Sequence, residues 1–366
     1  MNKISELKKL LTAPGNGVFT VHTAKENKAA LHEKYYNETD LEKVQLAWET
    51  SLDSIMENET LFLGVCSDSG GGILRGANWG PLYLREEFLK DNHSKEIFDI
   101  GDIRVIPHLL HDKYLNEPTL KECRLALYND PGSKLPVSPL SITEYVCDLI
   151  YELDPNKKIV ALGGDHSVSY PLVKSFLKKQ SRLNRKTGLI HFDAHTDLLD
   201  KRLGIDLCFG SWTYHVLPYL ESSQNLVQIG IRSSGQDRDH WENKFKFPQI
   251  WSHEIKEKPI DEWCEFIVSH LKKQSIEDLY ISFDIDAIDS SYAAATGTPE
   301  TGGLSPHESI CIIKALQNEF NVLSTDLVEV APLVNNWPHL KETGPTLFPE
   351  PQNTLQTASS ILEHLV

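Results

Sequence analysis

The sequence predicts an α/β protein built on a mainly parallel sheet with helices on both faces. Three observations carry this. Short, β-branched apolar runs recur along the chain. Several have almost no polar alternation, as expected of strands buried on both faces. Helical patterns separate many of them, the alternation that builds a parallel sheet through crossover connections. The strand candidates are 60–66 (TLFLGVC), 97–103, 158–162 (KIVAL), 188–193 (GLIHFD), 225–231 (NLVQIGI), 248–251, 278–285 (DLYISFDI) and 321–330 (NVLSTDLVEV). The helical candidates are 40–56, 80–90, 140–153, 168–180, 259–273, 306–319 and 352–365. No Pro/Gly/Ser-rich linker divides the chain, and internal repeats are absent. Residues 1–57 are expected to be a mostly helical extension, acting as a cap, lid or oligomer contact, and residues 58–366 the main domain that carries the sheet.

With 366 residues, 40% of them hydrophobic, the chain can bury a substantial core. A formal net charge of −16 argues against nucleic acid as a partner, because phosphate binding needs a basic patch. No apolar run approaches the roughly 20 residues that span a bilayer, so no membrane role is expected. The N-terminus, MNKISELKKLL, lacks the apolar core of a secretory signal. The six cysteines are scattered without a CxxC pair, which points to a reducing cytoplasm rather than a disulfide framework.

Four segments at predicted strand ends carry the chemistry, and in an open parallel sheet ligands bind outside those carboxyl ends. After KIVAL comes Gly163-Gly164-Asp165-His166-Ser167, where two glycines permit a tight turn and His166 opens the next helix. After GLIHF comes Asp193-Ala194-His195-Thr196-Asp197. On an extended segment its first, third and fifth side chains share a face, so Asp193, His195 and Asp197 converge. In Ser282-Phe283-Asp284-Ile285-Asp286, the two aspartates share a face while Phe283 and Ile285 point into the core. Two like charges on a buried strand repel and are costly to desolvate, and a divalent cation removes that cost. Asp289 is expected to serve a turn or support the ligands. Two His and four Asp can hold two divalent ions. Mixed imidazole and carboxylate ligation suits manganese, nickel, iron or zinc. Glu329, near the end of NVLSTDLVEV, either reaches the same crevice or is a surface carboxylate. Ser69-Gly70-Gly71-Gly72 is neither a P-loop nor GxGxxG and is expected to be a loop at the site mouth.

These segments resemble the ureohydrolase family of arginase, agmatinase and their relatives over roughly residues 60–365. The signatures are GGDHS at 163–167, DAHTD at 193–197, SFDIDAID at 282–289 with TGTPETGG at 296–303, and DLVEVAP at 326–332. The resemblance implies a three-layer αβα fold with an eight-stranded, mainly parallel sheet (arginase/deacetylase-like) and a binuclear site, usually manganese, with nickel an alternative. It implies one metal on His166, Asp193, Asp197 and Asp284, and the other on His195, Asp193, Asp284 and Asp286. Thr298 and Glu329 match substrate-side positions, and a homo-trimer or homo-hexamer is implied. Asp197 is the expected proton acceptor. A carboxylate such as Glu329 suits a guanidinium, which offers five N–H donors and no acceptor.

The chain departs from the family in the loop after DAHTD. Phe209-Gly210 stands where a His-Gly step is usual, and the nearby His215 is a candidate replacement for that His. Phe209, Trp212 and Tyr214 are expected to narrow the pocket, with Phe209 and Trp212 at the substrate. The Asn and Ser pattern that holds the α-amino and α-carboxyl groups of L-arginine is missing from 198–212. Ser290 and Ala294 replace usual prolines. The expected substrate is therefore a small amidine: agmatine, a guanidino acid or guanidine, with release of urea or ammonia. A formimidoylglutamase releasing formamide, and an inactive regulatory subunit of a hetero-oligomer, are the alternatives.

Overall fold

A computed structural model describes residues 3–18, 23–70, 75–91, 97–332 and 351–366. Its centre is one nine-stranded sheet in the order β1-β3-β2-β4-β9-β8-β5-β6-β7. The strands are β1 (Leu11–Thr12), β2 (Thr60–Gly64), β3 (Phe98–Ile103), β4 (Lys158–Leu162), β5 (Thr187–Phe192), β6 (Leu226–Ile231), β7 (Gln249–Trp251), β8 (Asp278–Asp284) and β9 (Asn321–Val328). Eight of them match the predicted strands, and all eight run parallel. The ninth, β1, adds antiparallel to β3 at the edge, so the sheet has nine strands rather than the expected eight.

Strand alternation sends side chains to two separate cores. Leu61, Leu63, Ile159, Ala161, Leu189 and Tyr280 pack with helices Pro139–Leu153 and Ser169–Arg182 on one face. Phe62, Val160, Leu162, Ile190, Phe192, Ile281 and Phe283 pack with helices Ile260–Lys273, Pro306–Glu319 and Pro351–Leu365 on the other. This is the three-layer αβα arrangement.

Residues before β2 fold against the same core rather than apart from it. Helices Lys3–Leu10 and Leu41–Ser51 bury Leu7, Leu10 and Trp48 among the first-face residues. Asp102 on β3 accepts hydrogen bonds from the backbone N–H groups of Gly15 and Gly17, at 2.8 and 2.9 Å. The fully buried Arg85 guanidinium bridges Asp99 and Asp102, so that carboxylate is neutralised where it anchors the N-terminal segment. No described helix is long and apolar enough to cross a membrane. Of the expected mouth loop, Gly71 and Gly72 lie outside the described residues.

Candidate metal centre

The six expected ligands converge at the carboxyl edge of β4, β5 and β8. His166 is placed by the Gly163-Gly164 turn. A Cβ on Gly164 would stand 1.7 Å from the carbonyl oxygen of Ser67, so only glycine lets the chain pass here. Asp165 then caps the following turn, its Oδ1 accepting from Ser167 N at 3.0 Å. His166 opens that turn with its ring over the strand ends. Asp193 and Asp197 follow β5, and Asp197 takes a left-handed backbone at φ 51. Asp284 ends β8, and its Oδ1 accepts from Asp286 N at 2.8 Å.

The His166 imidazole has an informative tautomer. Its Nε2 lies 3.1 Å from Ser282 Oγ, and Ser282 Oγ donates to Asp326 Oδ1 at 2.8 Å. With Ser282 committed to Asp326, the imidazole proton sits on Nε2. The lone pair of Nδ1 then faces Asp193 Oδ2 and Asp284 Oδ2, each 3.0 Å away, and Asp197 Oδ2 at 3.4 Å. That Nδ1 is buried without a hydrogen-bond partner. A lone pair and three carboxylate oxygens aimed at one point are the donor set of a cation. A second convergence joins His195 Nδ1 to Asp193 Oδ1 at 3.3 Å and Asp286 Oδ2 at 3.1 Å. Asp193 belongs to both groups.

Electrostatics point the same way. Burial, then the charges of Asp286 and Asp193, push the Asp284 carboxyl well above its usual range. Burial and Asp193 do the same to Asp197. With no cation bound, a proton on His166 Nδ1 takes the place of one: burial opposes the imidazolium charge, yet the Asp193 and Asp284 carboxylates outweigh it and hold the imidazole well above its usual value. Without a cation these four buried aspartates are mutually repulsive, and divalent ions reverse that balance. The residues present therefore fit a pair of metal ions.

Beneath the ligands runs a polar ladder that the strand pattern alone does not reveal. Gln249, Gln228, His191, Ser282 and Asp326 occupy one register row across β7, β6, β5, β8 and β9. All five are buried. Gln249 Nε2 donates to Gln228 Oε1 at 2.6 Å, and Gln228 Nε2 donates to His191 Nδ1 at 2.9 Å. His191 therefore carries its proton on Nε2 and donates to Asp193 Oδ2 at 2.8 Å. The signal is present in the sequence, since His191 sits two residues before Asp193 on the same strand face.

The ligands open into a cavity of about 600 Å³ lined by His166, Asp193, His195, Asp197 and Asp284, together with Thr298, Glu329 and Phe209. Thr298 Oγ1 donates to Asp286 Oδ2 at 2.9 Å, so it also steadies a ligand. Glu329 lies just past the end of β9 at φ 62, and its Oε1 accepts from His166 N at 2.8 Å. It is a cavity carboxylate, not a surface one. With neither a metal nor a guanidinium present, burial and the nearby Asp284 raise its carboxyl well above the usual range, and cations beside it favour the anion.

Trp212 is a correction. The sequence places it at the substrate, but it is fully buried and does not line the cavity. Its ring centroid lies 4.8 Å from those of both His166 and His191, so the indole backs the ligands from the core side. Tyr214 is likewise absent from the described lining, and it packs edge-on to Phe245 at 6.1 Å. His215, the candidate for the missing imidazole, instead bonds the Asp200 carbonyl at 2.9 Å and lies outside the described lining. Asp289 serves a turn, its Oδ2 accepting from Gly302 N and Gly303 N at 2.5 and 3.0 Å.

Comparison with known proteins fits this geometry. A profile described as the Arginase family matches residues 58–363. A mitochondrial guanidino acid hydrolase of Homo sapiens is 33% identical over 292 residues, covering 75% of this chain and 72% of that one. A mitochondrial agmatinase of Gallus gallus is 31% identical over 320 residues, covering 79% and 78%. The crystal structure of agmatine ureohydrolase of Thermoplasma volcanium superposes with a TM-score of 0.61 at 22% identity, covering 85% of this chain and 89% of that one.

Proposed function

Because this chain belongs to the arginase family, we propose that it hydrolyses a small guanidino compound to urea and an amine. The observation that carries the reading is the orphaned Nδ1 of His166 facing three buried carboxylates, beside a cavity that also holds Glu329. His166, Asp193, Asp197 and Asp284 would hold one divalent ion, and His195, Asp193, Asp284 and Asp286 the other. When bound, such a pair lowers the pKa of a water molecule so that hydroxide is available near neutral pH.

The protein's own groups supply the rest. Glu329 accepts N–H bonds from the planar guanidinium and orients its carbon toward the ligands. Thr298 keeps Asp286 in place through its 2.9 Å bond. Asp197 takes up the proton released as water adds to the guanidinium carbon and returns it to the departing nitrogen. The carbon–nitrogen bond to the substrate's tail breaks, a guanidinium plus water giving urea plus an ammonium.

Manganese is the favoured metal and nickel the alternative on the family resemblance, and the mixed imidazole and carboxylate donors suit either. A homo-trimer or homo-hexamer rests on family resemblance. Residues 1–57 are read as a mostly helical extension, a cap or an oligomer contact, and 58–366 as the catalytic domain. The six cysteines are all free, which suits a reducing compartment such as the cytoplasm. The test is to load the protein separately with manganese and nickel and assay urea, ammonia and formamide from a panel of amidines. Urea from a small guanidino compound is expected. Formamide from a formimino compound alone, or no turnover of any amidine, would overturn the reading.

A further inference from the structure

From the residues around the mouth of the metal cavity, we infer that Arg202 selects a guanidino compound whose tail ends in a carboxylate. This rests on the amidino hydrolysis proposed above and adds the class of substrate. Arg202 is held by a two-residue hairpin. Its N–H donates to Ile205 O at 2.7 Å, and Ile205 N donates back to Arg202 O at 2.9 Å. The two central residues, Leu203 and Gly204, have φ of 50 and 87, the mirror-image turn that suits a tight hairpin. The backbone of Arg202 is thereby fixed.

Its side chain is placed as well. The guanidinium carbon lies 4.9 Å from the centroid of the Phe209 ring, a cation–π contact, and both residues line the cavity. The Phe209-Gly210 step also abuts the metal ligands, because a Cβ built on Gly210 would stand 4.0 Å from Asp197 Oδ1. Phe209, standing where the resemblance leads one to expect a histidine, thus acts as a platform for a cation.

Charge decides which tail fits. Among the described residues no carboxylate pairs with Arg202, and it is the one Arg or Lys of the described lining. The carboxylates of that lining are Asp193, Asp197, Asp284 and Glu329, all committed to the metals or the amidino group. An ammonium tail such as that of agmatine meets a cation at Arg202, while Glu300, outside the described lining, lies against His195 Nε2 at 3.7 Å rather than against Arg202. A carboxylate tail meets a planar fork of N–H donors that can hold it at two points. Leu199 and Trp241 supply apolar wall for the methylenes between the two ends.

Urea release from 4-guanidinobutyrate, butylguanidine and agmatine tests the assignment, using the metal-loaded wild type, Arg202→Gln and Arg202→Glu, with melting temperature as the folding control. The wild type is expected to have its highest kcat/KM on the acid and its lowest on agmatine. Arg202→Gln should lower the acid-to-butylguanidine ratio of kcat/KM about two- to fivefold, mainly through the KM for the acid, since Arg202 is exposed to solvent and an exposed ion pair contributes at most about 1 kcal/mol. Arg202→Glu should turn the preference toward agmatine. A wild type that prefers agmatine, or an acid preference that survives Arg202→Gln, overturns the Arg202 assignment while urea release leaves the chemistry standing. Arg202→Gln slowing all three substrates alike would make the residue structural and overturn it equally. No urea from any of the three would instead refute the amidino hydrolysis.

Discussion

Replacing Glu329 by glutamine separates substrate binding from metal binding in one step. The side chain is almost fully buried, and its Oε1 accepts from His166 N at 2.8 Å. Glutamine keeps the shape and one acceptor oxygen, so His166 should stay in place and the metals with it. What changes is the charge presented to the guanidinium. A hydrogen bond to a charged partner contributes about 1.5–3 kcal/mol, against about 1 kcal/mol for a neutral one. The glutamine amide also turns donors toward a substrate group that has only donors. We therefore expect a loss at the upper end of that range, about 2–3 kcal/mol, or roughly 30- to 150-fold in kcat/KM. The assay is urea release against substrate concentration, paired with metal content by mass spectrometry on the same samples. A variant within about threefold of wild type, metals intact, would remove Glu329 from the substrate side. Loss of metal together with activity would make it a support of the ligands instead.

Two other substitutions probe the surroundings of the site. Trp212→Ala should cost about 3–5 kcal/mol in denaturant unfolding, because it empties a fully buried space behind His166 and His191. Trp212→Phe should cost less than Trp212→Ala, because the smaller ring still fills part of that space, and leave the substrate KM unchanged; a many-fold rise in KM would return the indole to the substrate. Lys179 is buried, with its ammonium 4.4 Å from the Phe176 ring centroid and 4.8 Å from that of Tyr151, and desolvation lowers its pKa to about 8. Below pH 8 it is charged in both folded and unfolded chains, and the folded state bears the full penalty. Between about 8 and 10.5 the folded chain gives up the proton first, so stability rises with pH. Lys179→Met should thus stabilise the protein at pH 7 by about 1–3 kcal/mol, the lower figure allowing for the lost cation–π contacts, and the gain should shrink toward pH 10.5. A gain independent of pH, or a loss at pH 7, would contradict that reading.

How much of this is legible in the chain depends on burial. Strands such as KIVAL and GLIHF announce themselves because both faces are covered and nearly every residue is apolar. Helix Glu117–Tyr128 escapes a pattern reading for the opposite reason: it has no buried residue, so no apolar stripe marks it. Helix Arg238–Phe245 buries Trp241 alone and is equally silent. The two residues of β1 are too few to show a period, and only Asp102 and the edge of β3 give them a place. At the site, the aspartates and histidines are readable because polar residues in a two-residue period at a buried strand end are costly to desolvate unless they bind something. Trp212 is misplaced by sequence because proximity to DAHTD along the chain does not say on which side of the ligands a ring will pack. The register row from Gln249 to Asp326 requires the strand order, which no local pattern encodes. The Phe209 departure is visible as a change, but its partner Arg202 emerges only from the hairpin that brings the two together.

Asp284 is, with Asp193, one of the two ligands shared by both proposed ions, so Asp284→Ala tests the metal centre most directly. Wild type and variant should be loaded with manganese, dialysed, and measured for bound metal and urea release in parallel. Wild type is expected to retain two ions per chain and to release urea from a guanidino compound. The variant should lose metal and activity together while remaining folded by circular dichroism. An Asp284→Ala protein that keeps both its metal and its urea release would contradict the metal centre.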